Sequence, residues 1–346
     1  MSTRLGYACI NTTLRDKISC NKTCRLNTAI QKGVESGFPK GSSEYSLAIY
    51  NFLTNMGKQN LEAMYKIIAW SKNNNIFFYR ISSGIFPHIS NKRIKEHMSD
   101  KDYLNYFTLT FAQDIIFEIG KYVQKYNIRV SMHPDHYNQL ATKTQEVLDN
   151  TFTDLYWHAR LLDMLEAGAD AYLKHSKQND PNTVKVGGTL CIHGGGTFKD
   201  KSASIKRWKT NFKKLPVNIQ QRICLENCEK SYSVEDLLPI CKDLGIPLIF
   251  DFHHYNCWAN YHPDNPEQKE ISELLPQIIA TWKDRIPKFH LSDQAENKNV
   301  GAHHDYVESI PQELLNIMGK CNFDIMIEAK QKELAVFQLM KKYNLK

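Results

Sequence analysis

The chain has 346 residues, 42% hydrophobic and 23% charged, proportions of a soluble globular protein that exclude disordered and fibrous classes. Lysine and arginine number 44 against 37 acidic residues, and the formal charge of +7 favours a polyanionic partner without demanding one. No run approaches the ~18 apolar residues of a membrane span, the opening MSTRLGYACINTTL lacks the apolar core of an export signal, and nine irregularly spaced cysteines fit a reducing compartment better than a disulfide framework.

Short apolar, β-branched or aromatic runs recur, each followed by a polar loop and a stretch with helical period. The predicted strands are RLGYACI (4–10), IFFYRISS (76–83), IRVSMHP (128–134), TLCIHGG (189–195), RICLEN (222–227), IPLIFDFHH (246–254), PKFHLS (287–292) and FDIMIEA (323–329). Predicted helices intervene: SEYSLAIYNFLTNM with LEAMYKIIAWSK, then FTLTFAQDIIFEIGKYVQKY, DLYWHARLLDMLEA, SVEDLLPICKDLG, ISELLPQIIATWKD and a closing KELAVFQLMKKY. Ser309 is expected to cap a helix with Pro311 in its first turn, and Gly245 to stop one before the sixth strand. Segments 84–103 and 174–186 exceed ordinary connections and read as insertions. Eight βα units without a linker or composition break predict a single (β/α)8 TIM barrel over residues 1–346, with an open doubly wound sheet as the alternative.

Chemistry in such a barrel lies at the C-terminal ends of the strands. Those ends carry His133, His193, Glu226, Asp251 with His253 and His254, His290 and Glu328. Imidazoles and carboxylates fill about one position in seven of the chain, so their presence at six successive strand ends is far from chance. No thiol stands at a strand end, although Cys228 lies two residues past Glu226, and the C-x3-C pairs Cys20/Cys24 and Cys224/Cys228 lack the knuckle of a zinc ribbon. An imidazole–carboxylate set suits Mn(II), Fe(II) or Zn(II), and its size predicts two or three ions, a cluster that serves phosphate-ester hydrolysis. Lys288 shares a strand face with His290. It therefore lies near the barrel floor with a carboxylate partner, carries an acidic modification, or lines a phosphate-binding side.

The blocks RLGYACINTTL (4–14), YRISSGIFP (79–87), MHPDHY (132–137), IHGGG (192–196) with Lys199, LENCEKSY (225–232), FDFHH (250–254), PKFHLS (287–292), AHHDYV (302–307) and DIMIEAK (324–330) occur in order along nearly the whole chain. In this pattern the sequence resembles the UV damage endonucleases. The resemblance implies an endonuclease IV-like barrel with a manganese-type cluster, zinc being the other candidate, held by His133, His193, Glu226, Asp251, His254, His290, His303 and Glu328. It also implies a carboxylated lysine at Lys288. It selects His254 where strand alternation alone would aim His253 inward, and His303 over His304. The family's further histidine after the SS-x-x-x-P block is replaced by Asn91, with His88 as a possible stand-in. The lesion-probing pair after the H-P block, usually Gln and an aromatic, is here His136-Tyr137.

The expected activity is nicking of DNA 5′ of UV photoproducts, leaving a 3′-hydroxyl and a 5′-phosphate. Glu226 is the expected bridging carboxylate, with Asp251, Glu328 and the modified Lys288 as its catalytic companions. Tyr137 would wedge between bases beside Tyr7, Asn11 and His136, and selection would follow the lower cost of unstacking damaged DNA. Lys92, Arg93, Lys95, Lys199, Lys201, Lys206 and Arg207 are candidate phosphate contacts. Gly194–Gly196 lacks the spacing of a nucleotide P-loop. Competing readings are an apurinic endonuclease without photoproduct preference, a divalent-metal sugar isomerase or epimerase on the same barrel, and a lesion-binding protein without catalysis. The partner expected is damaged double-stranded DNA, the protein a monomer without a membrane association, its location intracellular.

Overall fold

The computed structural model describes residues 3–176 and 188–345. Strands β1 (Thr3–Ala8), β2 (Phe78–Ile81), β3 (Arg129–Met132), β4 (Thr189–His193), β5 (Ile223–Glu226), β6 (Leu248–Asp251), β7 (Lys288–Leu291) and β8 (Phe323–Ile327) close into a barrel in sequence order, every pair parallel. All eight predicted strands are present, seven within the predicted runs and β1 starting one residue earlier, at Thr3, and the open-sheet alternative is excluded by the β1–β8 pairing.

Strand alternation divides the residues by chemistry. Outward positions such as Tyr7, Tyr79, Met132, Ile192, Leu225, Phe250, Phe289 and Ile327 join the helices in one large core. Inward positions form small apolar plugs, Ala8 with Phe78 and Met326, and Cys191 with Cys224 and Ile249. The remaining interior is polar. At its floor Asp324 is shared by two guanidinium groups, Arg4 Nε at 2.8 Å and Arg129 Nη1 at 2.7 Å.

Two helix expectations change. The two apolar stretches after β1 form one continuous helix, Ser43–Asn73, because the intervening Asn60 is buried and its amide donates to the carbonyls of Lys22 and Ile85. The stretch 107–126 is helical only from Gln113. Leu109 takes a left-handed conformation that ends helix Asp100–Phe107, and a 3-10 turn at Thr110–Ala112 follows.

Ser309 caps nothing. Helix Gln312–Ile317 starts with Pro311 at its N-cap, whose carbonyl accepts from Leu314 and Leu315. Proline forces the residue before it into extended backbone, which keeps Ser309 out of reach of the first turn. Gly245 does stop its helix, Val234–Leu244, at φ 66°.

Helix Gln145–Ser176 crosses helix Gln113–Lys125 closely enough that a Cβ on Gly168 would lie 2.1 Å from the Phe117 carbonyl oxygen. Segment 84–103 contains the short helix Lys92–Lys95 and the start of Asp100–Phe107. The other insertion lies outside the described residues from position 177 onward.

Candidate active site at the barrel mouth

Glu226, the last residue of β5, is 1% exposed and stands at the centre of the mouth. Its Oε1 lies 2.8 Å from His290 Nδ1 and its Oε2 3.1 Å from His133 Nε2 and 3.8 Å from His193 Nε2. His290 Nδ1 is also 3.1 Å from Glu328 Oε1 and 4.0 Å from Asp251 Oδ2.

The D-x-x-H spacing has a local cause. β6 ends at Asp251, whose side chain caps helix Phe252–Tyr261 by accepting from the His254 backbone N–H at 2.8 Å. That turn carries the His254 ring to 3.8 Å from Glu226 Oε1 and 3.9 Å from Asp251 Oδ2. His253 instead packs behind, edge-on to His303 with ring centroids 5.6 Å apart.

Four groups of donor atoms lie close enough to share an ion: His133–His193–Glu226, Glu226–Asp251–His254, Asp251–His290–Glu328 and Cys191–Glu226–His290. Glu226 belongs to three of them. His303 lines the same cavity of about 350 Å³ with Glu328 and Arg80, but joins none of these groups among the described residues. Neither candidate for the missing histidine is near. His88 Nε2 lies 2.9 Å from the Cys24 carbonyl oxygen, and the Asn91 side chain accepts from the Arg93 backbone N–H as the cap of Lys92–Lys95.

Convergence of three carboxylates, Glu226 and Asp251 buried and Glu328 at the rim with 10% exposure, shapes their protonation. Burial acts to raise Glu226, but His290 and His193 outweigh it and hold the carboxyl well below the usual range. Glu328 is likewise held low, against burial, by Arg80 and His290. Asp251 is pushed up to about 6 by burial, with Glu226 and Glu328 adding to the effect. His193 is driven down to about 3, chiefly by burial, whereas Asp251 and Glu226 lift His254 to about 9 against burial.

Asp251 Oδ2, His193 Nδ1 and His290 Nε2 are buried without a hydrogen-bond partner among the described residues. Orphaned oxygen and nitrogen donors beside unscreened carboxylates are what a divalent cation would satisfy, so the residues fit a metal cluster. Beneath them Lys288 is wholly buried, and its Nζ also has no hydrogen-bond partner among the described residues.

The predicted DNA-side residues divide. His136 flanks the cluster, its ring 4.7 Å from His193, and lines the cavity. Tyr137 is 53% exposed. Lys199 is exposed in the loop after β4, while Lys201 pairs with Asp236 at 2.7 Å. Tyr7 and Asn11 do not line the cavity. Tyr7 is an outward position of β1, its hydroxyl 2.7 Å from Ser71 Oγ and accepting from Asn11 Nδ2 at 2.8 Å, and both residues are buried.

Two participants were not singled out from sequence. Arg80, inward on β2, forms an ion pair with Glu328. Its alternation with the outward Tyr79 was the available signal. Cys191, inward on β4 two residues before His193, donates its thiol to Glu226 Oε2 at 2.7 Å. Cys228, two residues past Glu226 in sequence, instead accepts from the backbone N–H groups of Ser231 and Tyr232.

A closed parallel barrel with its polar cluster at the strand C-termini defines a TIM-barrel enzyme. The family model for UV-endonuclease UvdE matches residues 3–346. The chain belongs to this family of UV-damage endonucleases. It is 36% identical, over 98% of its length and 91% of the relative's, to a protein of Acanthamoeba polyphaga mimivirus whose name proposes the same activity. It is 34% identical to the UV-damage endonuclease of Schizosaccharomyces pombe, over 99% of this chain but 51% of that longer protein. The crystal structure of SacUVDE superposes with a TM-score of 0.73 over 99% of both chains at 27% identity.

Proposed function

We propose that this chain, as a monomeric, intracellular single catalytic domain, nicks damaged duplex DNA 5′ of UV photoproducts and leaves a 3′-hydroxyl and a 5′-phosphate. The observation that carries this reading is the sharing of Glu226 among three donor groups at the mouth of a barrel of this family. His133 and His193 would hold one ion with Glu226, His254 with Asp251 a second, and His290 with Glu328 the inner position. His303 closes the rim. A manganese or zinc cluster there would supply a nucleophilic water and neutralise charge at the scissile phosphate.

Lys288 supports a carboxylated lysine. Burial lowers its pKa, which favours the neutral amine, and a neutral amine adds CO2 to give a carbamate and one proton. The product would be an acidic ligand reaching the cluster from below, in place of a buried ammonium without a partner.

Tyr137 is the aromatic wedge, and His136 faces the displaced nucleotide from beside the cluster. Tyr7 acts from behind: it holds Asn11, whose Oδ1 accepts from the Leu14 backbone and fixes the turn after Cys9, a residue of the cavity wall. Lys199 and Lys201 flank the mouth. Further out, a groove of about 440 Å³ is lined by Lys143, Lys206, Arg207 and Lys214 with no carboxylate among its lining residues, a surface suited to the phosphates of flanking duplex.

The test is to incubate purified protein and Mn(II) with UV-irradiated, abasic and undamaged duplexes and to map the nicks. Nicks 5′ of photoproducts are expected. Equal nicking of irradiated and undamaged duplex would overturn the reading, and nicking confined to abasic duplex would transfer the protein to the apurinic class.

A further inference from the structure

Asp154 lies in the long helix after β3, outside the metal-type cluster, and is 2% exposed. Its carboxylate accepts four side-chain hydrogen bonds. Oδ1 takes Tyr137 OH at 3.0 Å, Ser90 Oγ at 2.8 Å and Trp157 Nε1 at 2.9 Å, and Oδ2 takes Asn138 Nδ2 at 2.8 Å. The donors come from three segments: the loop after β2, the loop after β3 and the helix itself. Among the described residues no lysine or arginine pairs with it, so the charge is stabilised by oriented dipoles, with the His158 ring beside it at 3.5 Å.

The same group reaches toward the cluster. His158 Nδ1 lies 2.7 Å from the Asp154 carbonyl oxygen and Nε2 lies 3.0 Å from Ser83 Oγ, and the Ser83 hydroxyl donates to the His133 carbonyl at 2.8 Å. The start of the loop at His133 and its Tyr137–Asn138 portion are thereby tied to one turn of helix.

Tyr137 is unusual in this setting. Its ring is exposed, as a wedge requires, yet its hydroxyl is anchored beneath on a buried carboxylate. An exposed aromatic without such an anchor samples several rotamers, and inserting it between bases costs the entropy of fixing one.

We propose that Asp154 is a positioning residue that holds Tyr137 in the inserting orientation and couples the probe to the backbone of His133. This rests on the reading of Tyr137 as the wedge. Asp154 touches neither phosphate nor nucleobase; it determines where the probing ring stands before DNA arrives.

The experiment uses the full chain loaded with Mn(II), with Tyr137→Phe, Asp154→Ala and the double variant. Tyr137→Phe removes one of four donors and leaves the fold in place. It should raise KM for irradiated duplex about three- to tenfold, the worth of one hydrogen bond, while kcat changes less than twofold. In the Asp154→Ala background the same substitution should cost almost nothing further, because no acceptor for the hydroxyl remains there. Additive losses, or a Tyr137→Phe protein indistinguishable from wild type, overturn the proposal. If Asp154→Ala does not fold, the Tyr137→Phe result decides alone.

A second readout is independent of activity. With 3-fluorotyrosine placed at 137, the free protein should give one narrow fluorine resonance in wild type. The Ser90→Ala protein, whose Asp154 keeps the other donors, should retain it, and Asp154→Ala should broaden or shift it. A broad resonance in wild type overturns the positioning. Loss of preference for irradiated DNA in wild type, with a narrow resonance, overturns only the wedge reading.

Discussion

The Cys191 thiol donates to Glu226 Oε2 across 2.7 Å from inside the barrel, below the mouth. It orients the carboxylate that three donor groups share. Glu226→Gln removes the charge while keeping the shape, and should reduce nicking by a factor of about a thousand or more while leaving binding of irradiated duplex within a few-fold. Single-turnover nicking with a parallel binding titration reads this. Cys191→Ala should cost far less, since His133 and His290 still face the carboxylate.

Lys288 should gain one carboxyl group. Native mass spectrometry in bicarbonate, or a crystal structure of the metal site, should show the added mass or density, and Lys288→Ala should lose activity that short-chain carboxylic acids partly restore. A plain ammonium at Nζ would remove the carbamate from the mechanism.

Asp251 makes the metal-free protein sensitive to pH. Its folded-state pKa of about 6 lies above its unfolded value of about 4. Its contribution is therefore fully present below pH 4 and lost as the pH rises through 6, by roughly 1–3 kcal/mol. The difference in Tm between wild type and Asp251→Asn, measured in chelator, should shift against wild type over that window, and Mn(II) should offset the loss in wild type only.

At the barrel floor, Asp324→Asn would leave the Arg4 and Arg129 guanidinium groups without their shared counter-charge. Breaking such a buried pair costs about 3–5 kcal/mol. Denaturant midpoints should fall accordingly. An unchanged midpoint would mean that the floor is stabilised by packing alone.

For the basic groove, Lys143→Ala with Lys206→Ala should weaken binding of long irradiated and undamaged duplexes alike. The slope of log K against log salt should fall by about 0.9 for each phosphate that is no longer neutralised. Duplexes too short to reach the groove should bind both proteins equally.

Much of this molecule is legible along the chain because strand alternation and βα succession are local. The eight apolar runs, their polar ends and the Asp251-x-x-His254 spacing need no knowledge of distant residues. Asp251 can both end a strand and cap the next helix within four positions, which places His254 and not His253 at the carboxylates. Tyr7 shows the limit of the same rule. Its parity on β1 turns it outward to Ser71, a partner 64 residues away that no spacing along the first strand announces.

What tertiary structure alone decided is which inward residues meet. Cys191 reaches Glu226, and Arg80 reaches Glu328 across 248 positions of sequence, because barrel closure and register bring their strands together. The loop conformations likewise removed His88 and Asn91 from the mouth and gathered Ser90, Tyr137 and Asn138 on Asp154. Periodicity states on which face a side chain stands. Its distance from a residue on another strand or loop depends on the closed barrel as a whole, and that exists only once the chain has folded.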